Sequence, residues 1–188
     1  MIRVSMGWLL VVLMSLGLLS AACSTTDKAV SSDLPPIDPD AEYSLGVGDQ
    51  LRVTLFGDEE VSRDVEVDSA GRITLPLVGD IDVSGRSVNK IEEMIVDALK
   101  PDYYANPIIG VEVLAYRDFF IIGEVADPGP YPYRGNMTVI TAVAIAGGFT
   151  YRAVEQEFII SRDGKAYRGG KETAVLPGDV IEVKERFF

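Results

Sequence analysis

The sequence predicts an α+β fold: two small β-rich domains behind an N-terminal apolar run and a polar tether. Three observations carry that prediction. Short stretches of alternating apolar and polar residues, the strand period, recur along most of the chain after Tyr43. Two stretches, Val88 to Lys100 and Val139 to Ala146, carry helix signals instead. Gly, Pro and Asp clusters punctuate the chain at intervals too short for long helices. The expected boundaries are 1–22 for a cleaved leader, 23–42 for a tether, 43–115 for the first domain and 116–188 for the second.

The leader has one cation, Arg3, then the apolar run Met6 to Leu19 and the small residues Ser20-Ala21-Ala22, followed by the chain's single cysteine, Cys23. A positive start, an apolar middle and a small-residue cleavage zone make a secretory signal. The run is 14 residues long, short of the roughly 20 needed to span a bilayer as a helix. The chain is therefore expected to leave the cytoplasm. From Ser24 to Glu42 the chain is rich in Ser, Thr, Asp and Pro, a composition that cannot bury a core and reads as a tether.

In the first domain, Gly48-Asp49 is a turn signal and Leu51-Arg-Val-Thr-Leu-Phe56 a strand. A second strand is predicted over Val61–Val67. After the turn Asp68-Ser-Ala-Gly71, a third is predicted over Arg72–Val78; Val67 of the second strand and Ile73, Leu75 and Leu77 of the third are expected on a buried face, and Arg72 and Thr74 in water. Ser87 is a candidate N-cap for a helix over Val88–Lys100, whose Val88, Ile91, Ile95 and Leu99 form one apolar stripe, with Pro101 stopping it. Pro107 to Leu114 reads as the closing strand. In the second domain, Phe119 to Val125 is a strand, Asp127-Pro-Gly-Pro130 a tight turn, and Pro132 marks an edge or irregular position. Thr138 caps a short helix, Val139–Ala146, ended by Gly147-Gly148. That helix is apolar almost all round, so it is expected to be buried or covered by a neighbouring subunit. Strands follow over Glu157–Arg162 and Val180–Lys184. The turn and strand Gly178-Asp-Val-Ile-Glu-Val183 echo Gly48-Asp-Gln-Leu-Arg-Val53, an echo too short to establish a repeat.

Composition excludes several function classes. Without residues 1–22 the chain carries 16 Lys+Arg and 29 Asp+Glu, a net charge of −13. That is a poor partner for nucleic acid, whose binding rests on cations neutralising phosphates. The chain has no histidine, which excludes Ser-His-Asp and Cys-His catalysis and histidine-ligated metal sites. The acidic pairs at Asp58-Glu59-Glu60 and Glu92-Glu93 read as solvated faces, not as a general acid and base in two contrasting environments. The glycines lack phosphate-binding spacing. No catalytic residue, metal ligand or cofactor is predicted.

The stretch around Cys23 resembles the lipobox of bacterial lipoproteins: Ala21, Ala22 and Cys23 fit, while Ser20 stands where the pattern has leucine. That resemblance implies acylation of Cys23, and Ser24 after it, in place of aspartate, implies the outer membrane. An ordinary cut after Ala22 would leave a free thiol, a liability in an oxidising compartment. Tyr43 to Gly57 with Val65-Glu-Val-Asp-Ser-Ala-Gly-Arg-Ile-Thr-Leu-Pro-Leu-Val-Gly79 resembles the polysaccharide biosynthesis/export domain of outer membrane polysaccharide export lipoproteins. Phe119 to Tyr133 with Ala144-Ile-Ala-Gly-Gly-Phe149 is similar to the soluble-ligand-binding β-grasp (SLBB) domain that follows it there.

The resemblance implies a lipid-anchored, homo-oligomeric ring on the periplasmic face of the outer membrane that passes exopolysaccharide or capsular polysaccharide without chemistry. It also implies an inner-membrane polysaccharide copolymerase as partner. After Cys23 the sequence has no apolar span of about 20 residues and no C-terminal amphipathic helix. A separate outer-membrane β-barrel is therefore the expected pore, unless the ring acts only in the periplasm. A monomeric sugar-binding or sensing lipoprotein is the alternative, and an envelope enzyme acting on glycan the third class.

Overall fold

A computed structural model describes Leu34 and residues 42–100 and 102–186; Cys23, most of the expected leader and tether, Pro101 and Phe187-Phe188 lie outside these. The described residues form ten strands and two helices, an α+β fold of two small β-rich domains. In the first, β1 (Gln50–Leu55) is the central strand of a three-stranded sheet, flanked antiparallel by β2 (Asp58–Glu66) and β5 (Ile109–Ala115). Its alternation sends Leu51, Val53 and Leu55 into the core and leaves Arg52 in water. The hairpin of β3 (Arg72–Leu75) and β4 (Gly79–Asp82) adds Ile73, Leu75 and Ile81 to that core. Helix α1 (Val88–Leu99) closes it with Ile91, Ile95 and Leu99, the predicted stripe, and the Ser87 hydroxyl accepts from the Lys90 N–H at its start.

The second domain is a five-stranded sheet in the order β7-β6-β10-β8-β9. Its strands are β6 (Phe119–Gly123), β7 (Gly129–Tyr131), β8 (Ala153–Arg162), β9 (Lys165–Gly169) and β10 (Val180–Glu185). Central β10 runs parallel to β6 and antiparallel to β8. Phe119, Ile121, Phe158, Ile160 and Ile181 make the inner face, covered by Val139, Ala142 and Val143 of α2 (Val139–Ile145). Where β6 ends against β10, a side chain at Gly123 would meet the Val183 carbonyl at 2.1 Å, so only glycine fits. Leu34, within the predicted tether, packs against this second core. Among the described residues no helix is long and apolar enough to cross a membrane.

Several expectations need correction. The third predicted strand, Arg72–Val78, is two strands: the chain turns at 76–78, so Leu77 adopts φ 64° and is exposed rather than buried. Pro76 has no N–H to give a ladder, and Leu75 already pairs with Gly79 across the turn. Strand β9 was not predicted at all. Its signal is Asp163-Gly164, both at positive φ, the residue pair that a two-residue hairpin favours. Of the two alternatives expected for helix α2, burial within the chain holds for one face only: Val139, Ala142 and Val143 face the core while Ala144 and Ile145 are exposed.

Candidate functional site at the domain junction

The echo between the two Gly-Asp turns is structural. Asp49 and Asp179 are the fully buried charged residues among those described, each less than 2% exposed, and each follows a glycine at positive φ. Both turns are built alike. The Asp49 carboxylate accepts from the Gly46 N–H at 2.8 Å, and the Asp179 carboxylate from the Leu176 N–H at 2.8 Å, in each case three residues back. In return the Asp49 N–H donates to the Gly46 carbonyl and the Asp179 N–H to that of Leu176. Short polar side chains that bond their own backbone stabilise such turns, and a buried carboxylate needs this many donors to offset the loss of water.

Each carboxylate also takes an arginine. Arg162 grips Asp179 with two bonds, 2.9 Å from Nε and 2.7 Å from Nη2. Asp49 accepts the Arg117 backbone N–H at 2.7 Å and its Nη1 at 3.3 Å. Arg117 sits between the two cores, and its side chain rests on both turns. An added Cβ would meet Nη1 at 2.1 Å from Gly46 and Nε at 2.7 Å from Gly178. On the other side the Gly178 N–H donates to the Asp118 carbonyl at 3.1 Å. The connection between β5 and β6 is thus bonded to a Gly-Asp turn of each domain.

Three tyrosines cross the same junction edge to face: Tyr43 to Tyr116 with centroids 4.8 Å apart, and Tyr116 to Tyr133 at 5.6 Å. Tyr43 packs against the first core and Tyr133 against the second. The Tyr43 hydroxyl donates to Asp49 at 2.7 Å and accepts from Arg117 at 3.0 Å. Burial, then the neighbouring Asp49 carboxylate, push its phenol well above the ordinary tyrosine range. Burial also raises Tyr133.

Elsewhere the first domain turns a polar sheet face outward. Arg52 lies there across from Asp64, bonded at 2.7 and 2.9 Å, and the guanidinium holds the Asp64 carboxyl below its usual range. A shallow groove beside α1 is lined by Glu93 and Asp97 of the helix and by Ile108 and Ile109. Of the predicted solvated acids, Glu92 instead accepts the Val111 N–H at 2.8 Å and Asp58 accepts from the Tyr104 hydroxyl. No group of three or more potential metal ligands occurs among the described residues. The lipidation candidate Cys23 lies outside them. Arg117, Arg162, Tyr116 and Tyr133 were not singled out from the sequence; the Gly-Asp echo was the signal that led towards them.

Residues 38–114 match the family model described as polysaccharide biosynthesis/export protein, and residues 119–176 match the SLBB domain. The chain carries the polysaccharide biosynthesis/export domain followed by the SLBB domain, in that order, and the first is the model of an export family rather than an enzyme family. The export match thus includes Asp49 and the SLBB match Arg162, with Arg117 in the few residues between the two matches and Asp179 three residues past the end of the second. The chain is similar to the exopolysaccharide production protein ExoF of Rhizobium meliloti, 36% identical over 119 residues, 57% of this chain and 28% of the relative. It is also similar to the EPS I polysaccharide export outer membrane protein EpsA of Ralstonia solanacearum, 30% identical over 163 residues, 79% of this chain and 42% of the relative. The polysialic acid transport protein KpsD of Escherichia coli is 28% identical over 109 residues, 57% of this chain and 20% of the relative. The chain therefore spans less than half the length of these curated relatives.

Proposed function

We propose that this protein is a ring-forming component of an exopolysaccharide or capsule export conduit, held on the periplasmic face of the outer membrane by acyl chains on Cys23. Finished polymer passes through without bond making. An inner-membrane copolymerase delivers it, and a separate outer-membrane β-barrel completes the path. The proposed parts are a signal over 1–22, a tether over 23–42, the export domain over 43–115 and the SLBB domain over 116–188. The observation that carries the export reading is the pair of family matches in order, together with relatives named for polysaccharide production, transport and export.

The junction supports the ring reading, because a closed ring needs protomers whose two domains keep one relative orientation. Acyl chains contribute about 0.8 kcal/mol per buried CH₂, and stable anchoring takes more than one signal. In cells, deletion of the gene is expected to stop surface polymer while its precursors persist. The Cys23→Ser variant is expected to fractionate as a soluble, folded periplasmic protein. Unchanged surface polymer on deletion would overturn the export reading. A membrane-bound Cys23→Ser variant would overturn the anchor alone.

A further inference from the structure

The two larger sheets have four edge strands, and the structure treats them differently. At the β5 edge, the outward Val111 N–H is taken by the Glu92 carboxylate of α1, which packs along that strand. β7 is three residues long and contains Pro130, which cannot donate to a ladder. These are two of the ordinary ways in which a sheet edge is blunted. The other two edges, β2 in the export domain and β9 in the SLBB domain, are longer and carry charges of opposite sign.

Strand β2, Asp-Glu-Glu-Val-Ser-Arg-Asp-Val-Glu, is nine residues long and holds five carboxylates and one arginine, with Glu59, Glu60, Asp64 and Glu66 exposed. Strand β9, Lys-Ala-Tyr-Arg-Gly, holds two cations and no carboxylate, with Lys165 and Arg168 exposed. Arg168 lies 3.5 Å from Glu157 on the neighbouring strand and keeps 57% of its side chain in solvent. The asymmetry extends to the domains. Residues 43–115 hold 6 Lys+Arg against 14 Asp+Glu, whereas residues 116–188 hold 9 against 10.

Charge on an open edge prevents pairing with a like edge and permits pairing with an unlike one. Two β2 edges repel, and two β9 edges repel. A β2 edge of one copy and a β9 edge of the next attract, with main-chain hydrogen bonds available along both except at Glu60, whose N–H already donates to the Asp58 carboxylate. Such a contact joins different surfaces of the two copies, so it is heterologous, and repetition closes a ring when the rotation allows. We propose that copies of this chain associate head to tail through the acidic edge β2 of one and the basic edge β9 of the next. This rests on the ring reading above and names the surfaces that build it.

The test is a charge swap on the full-length chain purified in detergent, with assembly read by light scattering at low and high salt. Wild type is expected to form a discrete oligomer that weakens as salt rises. Glu59→Lys with Glu60→Lys, and separately Lys165→Glu with Arg168→Glu, are each expected to weaken assembly at least tenfold while leaving the melting curve in place. Mixing the two variants, or combining all four changes in one chain, is expected to restore it, because the charges introduced on one edge then face opposite charges introduced on the other. If wild type assembles and either single-edge variant assembles equally well, the edges are not the interface, and the ring reading stands without them. If both variants dissociate and neither mixing nor combination rescues them, the β2–β9 pairing is overturned. A wild type that remains monomeric overturns the ring reading and this inference together.

Discussion

The two Gly-Asp turns are the same device put to different uses. In the SLBB domain, the partner of Asp179 is Arg162 of β8, a neighbour of β10 in the same sheet, and the arginine is itself only 11% exposed. The pair is internal to one domain and nearly dry. In the export domain, the partner of Asp49 is Arg117, which lies after the domain's last strand and is 26% exposed. Asp49 also takes the Arg117 backbone N–H and the Tyr43 hydroxyl. The same turn thus stabilises a fold when its arginine is local. It fixes an orientation between domains when its arginine belongs to the connection. Burial of the partner decides how much is lost when the aspartate goes.

The largest effect is expected from Asp179→Ala, which leaves Arg162 charged, buried and unpaired. Breaking a buried pair in this way costs about 3–5 kcal/mol, to be read as a lower urea midpoint for the SLBB domain. A loss under about 1 kcal/mol, the usual worth of an exposed pair, would show that water reaches the site and would erase the contrast between the turns.

Asp49→Ala is expected to cost less, about 1–3 kcal/mol for the buried donors left unsatisfied, because Arg117 can turn towards solvent. Its signature differs too: the two domains should melt separately and tumble more independently by NMR relaxation. Gly46→Ala sharpens the point. A Cβ there displaces the Arg117 guanidinium while the turn's own backbone bonds remain available. It should therefore loosen the domains with little loss of stability in either. If the domains stay coupled in both variants, the tyrosine chain, not the Asp49–Arg117 pair, holds the junction.

The smallest effect is a pH dependence. A phenol whose pKa is raised on folding adds stability that is complete below the ordinary tyrosine value, about 10. That stability is lost as pH rises above it towards the raised value, since the unfolded chain ionises first. Alkaline titration should therefore open the junction before it unfolds either core, and Tyr43→Phe should remove that step. An identical alkaline transition in the variant would assign the step to another group, with Tyr133 next in line.

Much of this was legible from local pattern. The stripe of Ile91, Ile95 and Leu99, the alternation of Leu51, Val53 and Leu55, and the caps at Ser87 and Gly147-Gly148 all follow from period and turn chemistry over a few residues. The export and SLBB assignments came from motifs that local physics alone does not explain. Failures fell where a local pattern met a tertiary limit. Leu77 continues the alternation of β3 but lies past the point where the chain reverses towards β4. Ala166 and Tyr167 are both buried, so β9 breaks the simple alternation that would have revealed it.

By itself, then, the sequence determined β1, β2, β5, β6, β8 and β10, the two helices, the Gly-Asp turns and the acidic balance, because each depends on residues within one turn or one strand of each other. Tertiary structure alone decided that Asp49 finds Arg117, 68 residues away, and Asp179 finds Arg162, 17 residues away. It also decided that helix α1 closes one sheet edge while β2 and β9 are left with opposite charges. Two identical Gly-Asp signals carry no information about which arginine will reach them. That choice is made when two cores pack and only a few donors remain close enough to offset the cost of a buried carboxylate.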